Sequence, residues 1–326
     1  MLSKLFLTLA IAASFSSAFA ADEVKPTEKK LSLLERFSFT YHGEFGLVRK
    51  DSTTDDNVYG NAEGKLKDIT HFHNPTIGFK LSDTVKLSTS FEFRYADHEG
   101  RPKFTNRFYR ALVSLTKSKI LTEQDYGFQL DAGIARRYFD RVSVPSTYGN
   151  DRVNVTLTKT WGENNASLFL QYLANDPKLL VTAATSAMYG QWRRGYEVIP
   201  TLNLQLTDKL SYTFTDDINY NTPWYGNVTT DGTWSHELNF AVLTYKLNDQ
   251  ISPYLQLKYN YADAGFTSVG TSEDYDYYVG VTLNLTPKIS VTGEMGSVLF
   301  ESHDGKSGFS NKATKPEFTL YVDASF

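Results

Sequence analysis

Apolar side chains in this chain return at every second position over runs of about ten residues, and the connections between runs alternate between short and long. Strict alternation gives a β-strand one apolar face and one wet face. The clearest run is Phe318-Thr-Leu-Tyr-Val-Asp-Ala-Ser-Phe326, which ends on an aromatic. Thirteen others are marked by apolar positions within 37–47, 77–81, 85–95, 109–115, 128–134, 153–161, 168–172, 196–206, 210–220, 238–242, 255–261, 275–285 and 289–295. About ten residues is the length of a tilted strand that crosses a membrane. The short connections are 82–84, 117–125, 162–165, 207–209, 248–252 and 286–288; the long ones are 49–67, 96–106, 138–150, 173–189, 221–233, 262–274 and 300–315. Six short and seven long connections make fourteen strands, an even number that returns both ends to one side. The expected fold is all-β, an antiparallel up-and-down transmembrane barrel with short periplasmic turns and long outer loops.

Two segments fit this pattern less simply. In 238–247 the apolar face changes register between Val242 and Leu243, which a β-bulge explains. His71 and His73 fall on the apolar parity of the second strand, and we expect them at the outer membrane interface.

The ends and the composition narrow the class. Residues 1–20 read as a secretory signal: Lys4, an apolar stretch over 5–15, and the small-x-small site Ala18-Phe-Ala20. Residues 21–36, with Lys25, Glu28, Lys29, Lys30, Glu35 and Arg36, read as a periplasmic lead-in too short to plug a wide lumen, and 37–326 as the barrel. The chain has no cysteine, which excludes disulfides and thiolate metal sites. A net charge of -4 gives no reason to expect nucleic acid. After the signal no run of 18 apolar residues occurs, so no transmembrane helix is expected. Mean hydropathy is -0.36, which a barrel tolerates because only alternate residues meet lipid. Many of the 21 Tyr and 22 Phe sit at strand ends, where aromatic girdles belong.

An exported chain ending in an amphipathic strand with a terminal Phe resembles the Gram-negative outer-membrane β-barrels. The strand count and the missing plug, with the segment 198–210 (Val-Ile-Pro-Thr-Leu-Asn-Leu-Gln-Leu-Thr-Asp-Lys-Leu), are similar to the monomeric fourteen-strand porins of the porin G type. The resemblance implies a bacterial outer-membrane location, contact with outer-membrane lipid and lipopolysaccharide, and insertion by the barrel-assembly machinery. Phe318, Leu320, Val322 and Phe326 would carry that assembly signal. It leaves monomer and trimer both open.

With one parity assigned to lipid, the other is assigned to the lumen. It holds Glu44, Lys80, Lys86, Glu92, Arg94, Arg110, Asp131, Arg137, Arg152, Arg193, Glu197, Asp217, Glu237, Lys258, Asp276, Glu294, Glu317 and Asp323, eight basic and ten acidic. On the lipid side a Lys or Arg at the midplane costs about 2–4 kcal/mol, so this many charges on one parity implies a water-filled channel. Arg94, Arg110, Arg137 and Arg152 come from strands three to six. Glu237, Asp276 and Glu294 come from strands ten, twelve and thirteen, across the barrel. Such walls would set selectivity; the plain alternative is that the charges only pair across strands. The expected function is passive diffusion of small hydrophilic solutes and ions through a weakly selective pore. The rivals are a solute-specific channel, for oligosaccharides or acidic solutes, and a structural or adhesive surface barrel. Trp192, Trp224, Tyr225, Trp234 and Tyr278 would stack on sugars in the first rival. Apolar residues within 173–189 suggest a loop packed on its neighbours or folded into the mouth.

Enzyme chemistry finds little support. His71 and His73 are a two-ligand pair with no third ligand nearby in sequence, so no metal is expected. The six histidines, 42, 71, 73, 98, 236 and 303, form no hydrolase signature, and His98-Glu-Gly and His303-Asp-Gly read as turns. No cofactor is expected.

Overall fold

The computed structural model describes residues 32–47, 66–98, 107–139, 149–175, 192–223, 233–263, 271–303, 306–309 and 317–326. The signal sequence, most of the lead-in and all but the first residues of 173–189 lie outside them. The chain divides into two units, Met1–Arg36 and Phe37–Phe326. In the first, the short helix α1 (Leu33–Arg36) is capped reciprocally: Glu35 Oε2 accepts from the Ser32 amide at 2.7 Å, and Ser32 Oγ from the Glu35 amide at 3.4 Å.

The second unit is almost entirely strand: β1 (Phe37–Leu47), β2 (Leu66–Lys80), β3 (Val85–His98), β4 (Arg107–Leu121), β5 (Gln129–Phe139), β6 (Gly149–Trp161), β7 (Asn164–Asn175), β8 (Trp192–Gln205), β9 (Leu210–Pro223), β10 (Thr233–Tyr245), β11 (Ile251–Ala262), β12 (Ser272–Thr286), β13 (Ile289–His303), β14 (Lys306–Phe309) and β15 (Glu317–Ser325). Each of β1 to β13 pairs antiparallel with the next, and β15 pairs with both β13 and β1. Fourteen strands therefore form a closed ring, and β14 is an extra hairpin arm on β13. It occupies part of the region read from sequence as a loop, and its four residues are too few to show an alternation. Closure leaves no unpaired edge in the ring. The last rung is made by the terminal residue: the amides and carbonyls of Phe39 and Phe326 exchange hydrogen bonds of 2.9 and 2.7 Å.

Three of the short turns share one design. In Leu81-Ser-Asp-Thr-Val85, Leu206-Thr-Asp-Lys-Leu210 and Leu247-Asn-Asp-Gln-Ile251 the amide of the first residue donates to the carbonyl of the fifth, at 2.8, 2.8 and 3.0 Å. The side-chain oxygen of Ser82, Thr207 or Asn248 accepts from the amides two and three residues on. This local competition with the ladder is why Ser, Thr and Asn favour turns. In each turn the fourth residue's carbonyl accepts from the adjoining strand: Ser118 to Thr84, Lys246 to Lys209, Asn284 to Gln250. The β4–β5 turn is different. It holds a helical turn, α2 (Glu123–Tyr126), with Thr122 as N-cap and Gly127, at φ 77°, as the left-handed stop.

The faces of the ring differ as the alternation requires. Phe37, Ile77, Leu87, Val113, Val153, Leu170, Val281 and Phe318 are exposed on one face. At its loop end a belt of rings runs from strand to strand: Tyr172–Tyr196, Tyr196–Tyr220, Tyr220–Trp234, Tyr259–Tyr275 and Tyr275–Phe300, with centroids 4.6–6.3 Å apart. At the turn end Phe37 packs on Phe79 (4.9 Å) and Phe39 on Phe326 (6.3 Å). Each such pair is worth about 0.5–1.5 kcal/mol beyond burial. The bulge of β10 lies two residues before the expected point, with register shifts between Asn239 and Ala241 on one side and Asn239 and Val242 on the other. The Phe240 carbonyl accepts from the Tyr212 hydroxyl at 2.7 Å. His71 and His73 stand on the apolar face toward the loop end of β2, stacked 6.2 Å apart, with His73 Nδ1 2.6 Å from the Tyr41 hydroxyl and Phe45 edge-on to both.

Candidate functional site

The face opposite the exposed apolar residues is polar, and the register assembles its charges into clusters. Glu92 on β3 faces Arg110 on β4, and the Arg110 guanidinium donates to the Glu92 carboxylate. Glu92 is 3% exposed, so the pair sits deep in the wall, where a lone charge would be costly. Arg152 on β6 donates from Nε to Asn150 Oδ1 at 2.8 Å and from Nη1 to Gln171 Oε1 at 3.3 Å. Gln171 in turn donates to Glu197 on β8. Asp217 on β9 accepts from Asn219 at 2.8 Å. Arg137, on β5 between Arg110 and Arg152, makes no ion pair among the described residues, and its Nε is buried without a hydrogen-bond partner. The arginine side of the ring thus mixes fixed pairs with one guanidinium that no carboxylate among the described residues contacts directly.

A second group lies on β10–β13, β15 and β1. Lys258 reaches Glu237 at 2.8 Å. Asp276 Oδ2 accepts from Asn260 at 2.8 Å and from the Tyr278 hydroxyl at 3.3 Å. Glu294 accepts from the hydroxyls of Tyr254 (2.6 Å) and Tyr321 (2.9 Å). Glu44 and Asp323 bracket one imidazole: His42 Nε2 is 3.0 Å from Glu44 Oε1 and Nδ1 is 2.7 Å from Asp323 Oδ1. Beside His42 a cavity of about 440 Å³ opens, bounded by Asn74, Lys288, Ser290 and Asp323. Around the fourteen-strand ring, β5 with Arg137 and β12 with Asp276 are seven strands apart, half a turn.

Several residues singled out from the sequence have other surroundings. Asp131 Oδ1 accepts from the Lys119 amide at 2.7 Å, and Lys119 has a left-handed φ of 56°. The β4–β5 pairing slips there, between Lys117 and Leu121, so Asp131 tethers an irregular turn. Trp234 stands in the aromatic belt, 4.6 Å from Tyr220, not on the polar face. The side chains of Arg94, Trp192 and Arg193, and residues 224 and 225, lie outside the described residues. The alternation did not single out Asn150, Gln171, Tyr254 and Tyr321, because neutral residues at polar parity look alike before the register is known. Two glycines were the available signal. Gly280 and Gly296 interrupt strands, which marks a close approach, and the rings of Tyr254 and Tyr278 fill the space over them. On the opposite face, Arg136 pairs with Asp151 at 3.0 Å and lies over Tyr138 at 5.6 Å. Among the described residues no group of three or more His, Cys, Asp or Glu converges as a metal site would require.

A closed antiparallel ring of fourteen strands, apolar on one face and polar on the other, is an up-and-down β-barrel with the amphipathic wall expected of a transmembrane barrel. No protein-family model matches the sequence, and no curated protein matches it. Solved structures do match at low identity. The outer membrane channel DcaP of Acinetobacter baumannii is 12% identical over 89% of this chain and 96% of that one, with a TM-score of 0.47. The anion-selective porin from Comamonas acidovorans is 10% identical over 89% and 98%, at 0.45. Salmonella typhi OmpF in complex with daunomycin is 9% identical over 89% and 97%, at 0.47.

Proposed function

We propose that the protein is a porin of the bacterial outer membrane, through which small hydrophilic solutes and ions diffuse passively, with weak preference for cations. The observation that carries this reading is the polar face itself. Glu92, Asn150, Gln171, Asn221, Asp276 and Glu294 are each 3–8% exposed there, while large apolar residues are exposed on the other face. In a closed ring this fits a barrel that turns its polar side chains inward and its apolar ones to lipid. Its sequence carries ten acidic and eight basic residues at lumen parity, so the fixed field is nearly balanced. Counter-ions gather in proportion to the imbalance, and salt screens it over about 10 Å at 0.1 M. Outer-membrane lipid and lipopolysaccharide would contact the aromatic belts, and the assembly machinery would read the strand ending in Phe326. We read it as a conduit and not as an enzyme.

A channel for acidic solutes is the second reading, favoured by Arg137, which forms no ion pair among the described residues and whose Nε is buried without a hydrogen-bond partner. Conductance of the purified protein in planar bilayers, with reversal potentials in a KCl gradient, separates the readings. Weak cation preference supports the first, strong anion preference the second, and a sealed barrel a structural role.

A further inference from the structure

The polar face of β11, β12, β13 and β15 carries two carboxylates that are buried and in no ion pair among the described residues. Glu294 and Asp276 are 8% and 7% exposed. Among the described residues neither forms an ion pair; the nearest lysine in register, Lys258 opposite Asp276, reaches Glu237 instead. Glu294 is held by neutral donors alone, the hydroxyls of Tyr254 and Tyr321. Asp276 uses one oxygen for Asn260 and Tyr278, and its Oδ1 is buried with no hydrogen-bond partner at all. A carboxylate oxygen left so in a wall costs free energy unless something else supplies the missing contact.

The tyrosines are fixed in a particular way. A Cβ on Gly280 would fall 2.4 Å from ring atoms of Tyr254, and one on Gly296 would fall 2.1 Å from the Tyr278 ring. Both rings therefore lie against the backbone of the next strand, and glycine is required beneath each. Three tyrosine rings and two carboxylates in no direct ion pair share one patch of wall. Ring faces attract a cation through their quadrupole, most strongly where it is poorly hydrated, as in alkylated ammonium groups. A hydrated alkali ion gains little from them.

We propose that this patch is a subsite for small organic cations, in which Asp276 and Glu294 supply the charge and Tyr254, Tyr278 and Tyr321 the ring faces. The proposal rests on the polar face being the lining of an open channel, and it names a class of solute for that channel. The opposite side of the ring, with its arginines, repels the same solutes and concentrates them on this wall.

The test uses the folded full-length protein in a planar bilayer at pH 8 in KCl, with choline chloride as the probe. Choline should reduce the potassium current saturably. Glu294→Gln and Asp276→Asn should each raise the half-blocking concentration about tenfold, the scale of a partly desolvated cation–ring and carboxylate contact. Asp249→Asn removes an equal charge from an exposed turn, where Lys246 already pairs with it, and should leave the half-blocking concentration within about twofold. Current that falls only in proportion to the potassium replaced overturns the proposal. So does wild-type block in the Asp276 and Glu294 variants, or an equal loss in the Asp249 variant, which would mean a general field. Calorimetry of wild-type protein in detergent with choline needs no variant to assemble, and absence of saturable heat there also overturns it. A protein that does not conduct removes the channel reading, while the calorimetry still reports on the subsite alone.

Discussion

Glu92 and Arg110 illustrate how much a single buried pair decides. Removing the carboxylate by Glu92→Leu leaves a guanidinium in the wall without its counter-charge. The expected loss is about 3 kcal/mol, the lower part of the range for a broken buried pair, because Arg110 keeps some exposure, 27% of its side chain. The double variant Glu92→Leu/Arg110→Met should recover most of the loss. Urea unfolding of the detergent-folded protein measures both, and a double variant no more stable than Glu92→Leu would contradict the pairing. At the turn end, Glu123 works differently. The Thr160 amide donates to Glu123 Oε1 at 2.8 Å and Lys159 lies 3.3 Å away, and together they hold the carboxyl below the ordinary carboxylate range. A depressed acid contributes its stabilisation above its unfolded value and loses it as pH falls through the folded one. The tie between α2 and β6 should therefore loosen only in acid, below about pH 4.5, the ordinary glutamate value. Hydrogen exchange at the Thr160 amide should quicken there beyond its intrinsic rate, and Glu123→Gln should remove that pH dependence. Unchanged protection in acid would contradict it.

At the scale of elements, closure and the bulge make separate predictions. Deleting Phe326 removes both backbone bonds to Phe39 and the ring that Lys288 covers at 5.7 Å. The deletion should lower the amount of folded barrel in cells while the molecules that do assemble conduct normally. Wild-type levels of assembled protein would contradict this. Tyr212→Phe leaves the bulge carbonyl of Phe240 without its donor, and should cost about 1 kcal/mol in the same urea assay. These elements also show what was legible beforehand. The fourteen ring strands could be read because alternation persists for about ten residues and because Ser82, Thr207 and Asn248 announce their turns. The bulge was visible as a change of parity, but its site was not, since Leu238, Phe240, Val242 and Leu243 are all apolar and the partner strands choose among them. β14 was missed because four residues carry too little period. At the candidate site, the parity of Asp276 and Glu294 was readable. The tyrosine partners of Glu294 were not, because Tyr254 and Tyr321 meet it from two different strands and only the register brings them together.

At the scale of the whole molecule, each of the fourteen ring strands among the described residues is hydrogen-bonded to a neighbour on both sides, and such pairing is what a chain needs to sit in lipid. Such a barrel unfolds slowly, so unheated samples should migrate faster on a denaturing gel than boiled ones; a single band in both would argue against a closed barrel. Function at this scale depends on the two sides of the polar face. If they line one open lumen, the charges of each side bias the ions that pass. Neutralising Glu237, Asp276 and Glu294 together should move the preference toward anions, and neutralising Arg94, Arg110 and Arg137 should move it toward cations. The reversal potential of the wild-type protein and these two triple variants in a KCl gradient is the most direct test. The account predicts an open channel with weak cation preference, displaced in opposite directions by the two variants. A sealed bilayer, or an open channel that neither variant displaces, would contradict it.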